Sequence, residues 1–158
     1  MRLGAAVPAI VTLLLAGPLA GGLAGGAEGP SAVAVVRDAI PRSLTGRPGD
    51  AARGREIGFG RDRGNCPVCH VMPAPDERLH GNVGPSLEGV AGRLTEGQMR
   101  LRLVDGRRLN PASLMPSYYR LDGLKRAAAA YAGKTVLTAE EIEDVLAYLM
   151  TLRPSEKR

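Results

Sequence analysis

Cysteine occurs only twice in this chain of 158 residues, and both copies stand in one pentapeptide, Cys66-Pro67-Val68-Cys69-His70. Two thiols three positions apart, followed at once by an imidazole, admit few chemistries. A disulfide between them would close almost no loop and would stabilise little. A thioredoxin-like redox pair needs a βαβ setting, and no strand signal precedes Cys66. A structural zinc site needs four ligands, and two cysteines with His70 and His80 would be a crowded set. Cys-x-x-Cys-His is also the attachment signal for c-type haem. There the thiols form thioethers to the porphyrin vinyl groups and the adjacent histidine becomes the proximal iron ligand. One covalently bound haem c is therefore the expected cofactor, with Cys66 and Cys69 as its anchors and His70 on the iron.

The rest of the composition agrees. One Phe, no Trp and four Tyr are thin material for a core. A large, flat, apolar cofactor would fill the missing volume.

The N-terminus has the layout of an export signal. Met1-Arg2 is basic, Ala9 to Leu15 is apolar, and small residues run to Ala27. The apolar run is shorter than the roughly 20 residues a membrane span needs, and Pro8 and Pro18 interrupt it. Residues 1–27 are expected to be a cleaved signal peptide, although Ala20 to Gly22 would also serve as the exit. The mature chain would be periplasmic and without a membrane anchor. It would keep 131 residues, enough for one domain, and a net charge of +4. Its basic residues are scattered and aromatics few, so no nucleic-acid binding is expected. The modest positive charge suits an acidic protein partner or an anionic substrate.

Residues 28–50 contain Pro30, Pro41 and Pro48 and read as a mostly irregular N-terminal arm, with some local order over 32–40. Residues 51–153 form the expected cytochrome domain and 154–158 a tail. Asp50 reads as the N-cap of a first helix over 51–58. Residues 71–86, rich in Pro and Gly, read as loop. A helix is expected over 96–104, a loop over 105–117 between Pro111 and Pro116, and an alanine-rich helix over 121–131. The last helix is the clearest. Thr138 and Glu141 form a capping box, Ile142, Val145, Leu146 and Leu149 make one buried stripe, and Pro154 ends it. Strand signals are nearly absent. The fold class is all-α, a small helical domain wrapped around one haem.

Methionine sulfur as the sixth iron ligand would raise the reduction potential, and a second histidine would lower it. Met72 is too near His70 to reach the opposite face. Met99 and Met150 lie on helices and read as core. Met115 lies in Asn110-Pro111-Ala112-Ser113-Leu114-Met115-Pro116, a loop that two prolines stiffen. It is the preferred ligand; His80 reads as an ordinary loop histidine. The Pro85 carbonyl is a candidate to accept a hydrogen bond from the ring nitrogen of His70 that does not bind iron. The Gly84-Pro85 pair reads equally well as a plain turn.

Gly64-Asn65-Cys66-Pro67-Val68-Cys69-His70, the Gly84-Pro85-Ser86-Leu87 turn, a Met-Pro loop and a closing Ala-Tyr-Leu helix resemble class I cytochromes c. Other stretches point further. These are Ile40-Pro41-Arg42-Ser43-Leu44-Thr45-Gly46-Arg47-Pro48-Gly49-Asp50, Leu79-His80-Gly81-Asn82-Val83-Gly84-Pro85, Met115-Pro116-Ser117-Tyr118-Tyr119 and Glu141 to Leu149. Across about residues 38–152 the chain resembles the SoxX family, monohaem cytochrome subunits of the thiosulfate-oxidising SoxAX complex (an L-cysteine S-thiosulfotransferase). The resemblance implies a periplasmic heterodimer whose SoxA-type subunit holds the site where thiosulfate reacts. Thiosulfate is joined oxidatively to a cysteine of a SoxYZ-type carrier. The SoxX-type haem takes the electrons and passes them to a small acceptor cytochrome. The family's ligands carry over to Cys66, Cys69, His70 and Met115.

The residue inventory fits that division of labour. No thiol is left once haem is attached, no carboxylate pair or triad-like set is visible, and no catalytic residue is expected in this chain. Two other readings compete. A free-standing electron shuttle would lack a permanent partner, and the apolar residues of the Ile40 to Asp50 arm are read as favouring a partner surface. A gas sensor would release Met115 from the iron.

Overall fold

The computed structural model of the protein describes residues 30, 33–73, 80–123, 128–129 and 132–154. Among them are three α-helices, α1 (Ala51–Phe59), α2 (Glu96–Asp105) and α3 (Ala139–Thr151), and short 3₁₀ turns at Cys66–Val68, Val90–Gly92 and Gly106–Arg108. The described residues contain no strand beyond one isolated bridge, Val36 to Ala39. The expected signal peptide lies outside the described residues.

Local chemistry sets the helix starts. The Asp50 carboxylate accepts from the N–H groups of Ala52 at 2.9 Å and Arg53 at 3.1 Å, which satisfies two of the orphan donors of α1. Thr138 and Glu141 close the capping box of α3. Thr95 and Gln98 form a second box at the start of α2, which the sequence reading passed over. The α3 stripe is buried as expected, with Ile142, Val145, Leu146 and Leu149 no more than 5% exposed. Helix α3 ends at Thr151, before Pro154, which packs against Gly89 and Gly92. Leu121 to Gly123 is a turn, with Gly123 at φ +71°, so no helix starts at Leu121. Most of the remaining 121–131 segment lies outside the described residues.

Helix α1 packs the partly buried side chains of Ala51, Ile57 and Phe59 against the core. Its buried residues are Gly54 and Gly58, and it meets α3 backbone to backbone. A Cβ on Gly54 would lie 1.8 Å from the Asp144 carbonyl oxygen, and one on Gly49 would lie 2.0 Å from that of Glu143. At this crossing the Asp144 carboxylate takes three donors from the start of α1: the Asp50 N–H at 2.7 Å, Arg53 Nη2 at 2.8 Å and Arg53 Nε at 2.6 Å. Burial pushes the Asp144 pKa up, but the Arg53 hydrogen bonds, the Asp50 N–H and the Arg53 charge outweigh it and hold the carboxyl below its ordinary value.

A buried ion pair joins α2, α3 and the arm. Arg100, 1% exposed, donates to Glu143 through Nε at 2.8 Å and Nη2 at 3.0 Å, and through Nη1 to the Ile40 carbonyl at 2.9 Å. Glu143 also accepts from the Leu44 N–H at 2.8 Å. Ile40 and Leu44 are themselves core residues, 1% and 3% exposed. This corrects the reading of the arm's apolar residues as a partner surface. They turn inward because Arg100 and Glu143 capture the arm's backbone polar groups, which lets the side chains reach the core.

Two outcomes follow. Gly54→Ala forces α1 off α3 and is expected to cost about 3 kcal/mol of unfolding free energy, read by guanidinium titration of the haem-loaded protein; a cost below about 1 kcal/mol would contradict the close crossing. Because the folded Asp144 titrates below 3.8, its contribution is complete above that pH and is lost as pH falls below it. Asp144→Asn should therefore flatten the acid side of the stability profile; an unchanged acid slope would count against it.

Candidate haem site

The C-terminus of α1 delivers the cysteine motif. Residues 60–65 fold back on the helix through Gly64 N–H to Ile57 O at 3.0 Å and Asn65 N–H to Gly60 O at 3.0 Å. Asn65 is left-handed, φ 46°, a conformation asparagine tolerates better than most residues. The chain then makes one tight turn. Both Cys69 N–H and His70 N–H donate to the Cys66 carbonyl, at 3.1 and 3.0 Å. Positions i, i+3 and i+4 of a helical turn share one side, so Cys66, Cys69 and His70 are brought together.

Neither cysteine is in a disulfide. Burial pushes the Cys66 thiol up to about 11, so it is neutral at pH 7. That disfavours a thiolate nucleophile. The four candidate zinc ligands fail to gather: among the described residues no three Cys, His, Asp or Glu side chains form a metal-binding group.

Segment 81–87 is laced alongside 67–71 by three backbone hydrogen bonds: Gly81 N–H to Pro67 O at 2.7 Å, Gly84 N–H to Cys69 O at 2.8 Å and Leu87 N–H to Val71 O at 2.9 Å. This places the Pro85 carbonyl 2.7 Å from His70 Nδ1. A carbonyl only accepts, so the proton is on Nδ1, and Nε2 keeps its lone pair for a metal. Gly84 makes the approach feasible, since a Cβ there would sit 2.3 Å from His70 Cε1. The Gly84-Pro85 pair thus supports His70 rather than forming a plain turn, and Gly84 is the residue that makes room for the ring.

Met115 lies on a separate segment. An Asn110 turn shapes the loop, with Ala112 N–H to Asn110 Oδ1 at 3.0 Å, and Met115 is half-buried against the core. Met99 and Met72 are each 2% exposed, and Met150 is half-buried against the core. His80 Nδ1 accepts from the Met72 N–H at 3.2 Å, while its buried Nε2 has no partner among the described residues. Two thiols on one turn, an imidazole with a free Nε2 and a glycine cradle beneath it fit a haem c. Val68, within the motif, and Val83, next to Gly84, face solvent, as does Leu114 next to Met115.

Among solved structures, a chain of SoxXA from P. pantotrophus is similar over 81% of this chain and 99% of its own, with 34% identity and a TM-score of 0.75. The c-type cytochrome SorU from Sinorhizobium meliloti matches at 26% identity over 65% of this chain and 90% of its own (TM-score 0.43). Ferric cytochrome c-550 from Paracoccus versutus matches at 20% identity over 67% and 99% (TM-score 0.38). No family model and no curated protein sequence matches significantly. Fold and comparison together define a c-type cytochrome, an all-α electron-transfer domain with covalently bound haem c. The chain belongs to the SoxX-type cytochromes.

Gly84→Ala tests the cradle. The added methyl should drive the imidazole off the Pro85 carbonyl, so that haem-loaded protein accumulates several-fold less, measured as haem stain against total protein. Normal yield with an unchanged ferric spectrum would contradict the geometry.

Proposed function

We propose that this chain is the electron-transfer subunit of a periplasmic thiosulfate-oxidising complex. In this reading Cys66 and Cys69 would anchor the haem, His70 and Met115 would bind its iron, and Pro85 would orient His70. The bound haem supplies a one-electron couple that cycles between ferric and ferrous iron. The protein's own groups set the conditions for it. The His70 Nδ1–H bond to Pro85 fixes the ring against rotation and makes Nε2 a stronger donor. The Met115 sulfur, a soft ligand, favours the reduced state and raises the potential.

The observation that carries the reading is the match to one chain of SoxXA across 99% of that chain. It supports a SoxA-type partner, on which thiosulfate would be joined to the cysteine of a SoxYZ-type carrier. Electrons would enter this chain's haem and leave to a small acceptor cytochrome. Export by the N-terminal signal fits both the covalent haem and the absence of any membrane-length apolar helix among the described residues. The alternative is a free-standing periplasmic shuttle.

Affinity capture from periplasm, with haem staining, separates the two. A larger haem protein should co-purify in near-equal amount; a clean monomer would support the shuttle and contradict the subunit. The isolated holoprotein should be redox active but show no turnover of thiosulfate, and turnover without a partner would overturn the division of labour. Met115→Ala should abolish the sulfur-to-iron band at the red end of the ferric spectrum; survival of the band would remove Met115 as ligand.

A further inference from the structure

Tyr118 stands three residues after Met115, is 7% exposed, and donates its phenol hydroxyl to the Gly64 carbonyl at 2.6 Å. Gly64 lies in the loop that leads into Cys66. The hydrogen bond therefore runs directly from the segment of one candidate axial ligand to the segment of the other. We propose that Tyr118 is a positioning residue whose phenol clamps the Met115 segment to the cysteine loop, so that Met115 cannot leave the iron without loosening both sides of the haem. The proposal rests on the assignment of Met115 as the sixth ligand.

Both ends of the clamp are held. Gly64 is pressed on α1: a Cβ there would lie 2.8 Å from Ile57 O and 3.0 Å from Gly58 Cα. The Tyr118 backbone is fixed on two sides, its N–H to Leu103 O at 3.0 Å and its carbonyl to Leu137 N–H at 3.0 Å. Ser117 donates to the Asp105 carboxylate at 2.6 Å. The Met115 end of the segment is held less firmly. Its N–H reaches only the nearby Ser113 hydroxyl, at 3.2 Å, and neighbouring Leu114 is 79% exposed. The fixed and the loose parts of the segment meet between Met115 and Ser117. A buried tyrosine needs a partner for its hydroxyl, and here the partner is a carbonyl with no freedom to move.

The test is imidazole binding to the ferric holoprotein, because an external ligand enters only when Met115 leaves. Tyr118→Phe removes the hydroxyl and keeps the ring. It should bind imidazole about tenfold more tightly than the native protein, the fold-change expected for loss of one buried hydrogen bond, and its sulfur-to-iron band should weaken. Ile142→Val, a core change in α3, should lower stability without altering imidazole affinity. Native affinity in Tyr118→Phe, or an equal gain in Ile142→Val, overturns the clamp. Met115→Ala run alongside distinguishes the two failures: if it keeps the band, the ligand assignment falls and the clamp with it. If it loses the band while Tyr118→Phe binds imidazole as the native protein does, the clamp alone falls. Should Tyr118→Phe fail to accumulate with haem, hydrogen exchange on the native holoprotein decides. Imidazole should raise exchange in 60–65 together with 113–120; a rise confined to 113–120 overturns the proposal.

Discussion

The contact between α1 and α3 is the constraint on which the rest of the structure depends. Two main chains approach closely because Gly49 and Gly54 carry no Cβ. A crossing this tight would leave the α3 carboxylates in an expensive environment without partners. Asp144 is neutralised by Arg53 and by the N-terminus of α1, and Glu143 by Arg100 and the arm. Each buried charge is thus matched by charge-assisted hydrogen bonds. The same pairs fix where α1 and the arm lie, so polar satisfaction and positioning are one event.

From that crossing the turn of the cysteine motif is reached in few steps. Helix α1 ends against Gly64, the loop returns through left-handed Asn65, and Cys66 begins the turn that ends at His70. Arg63 pairs with Glu141 near the start of α3, which ties the loop to the second helix as well. The chain after His70 comes back alongside the motif and offers the Pro85 carbonyl to the imidazole. Electron transfer needs small changes in geometry between oxidation states. A ring gripped at Nδ1, on a turn gripped by two helices, supplies that rigidity.

The parts legible in the sequence were those with local causes. Asp50 caps a helix two and three residues on, Thr138 and Glu141 cap each other, and the α3 stripe repeats at helical spacing. The spacing of the cysteine motif alone pointed to haem. The Thr95–Gln98 box was equally local and was missed, though Thr-x-x-Gln is a readable signature. Other features had no local signal. Arg100 and Glu143 look like surface charges until the fold brings them together from 43 positions apart. Gly54 reads as a helix-weakening residue and proves to be a contact with a backbone. Ile40 and Leu44 look like apolar residues awaiting a partner, and the partner is the chain's own core. Tyr118 could not be singled out, because its acceptor is a main-chain carbonyl 54 residues away.

The central claim is that this chain's working part is one haem held through Cys66 and Cys69. Peptide mapping by mass spectrometry of protein purified from the periplasm tests it most directly. The peptide spanning Cys66 to His70 should carry one haem, through thioethers to both cysteines, after denaturation and acid extraction. Recovery of that peptide with free or disulfide-linked cysteines, and haem released into the extract, would contradict it.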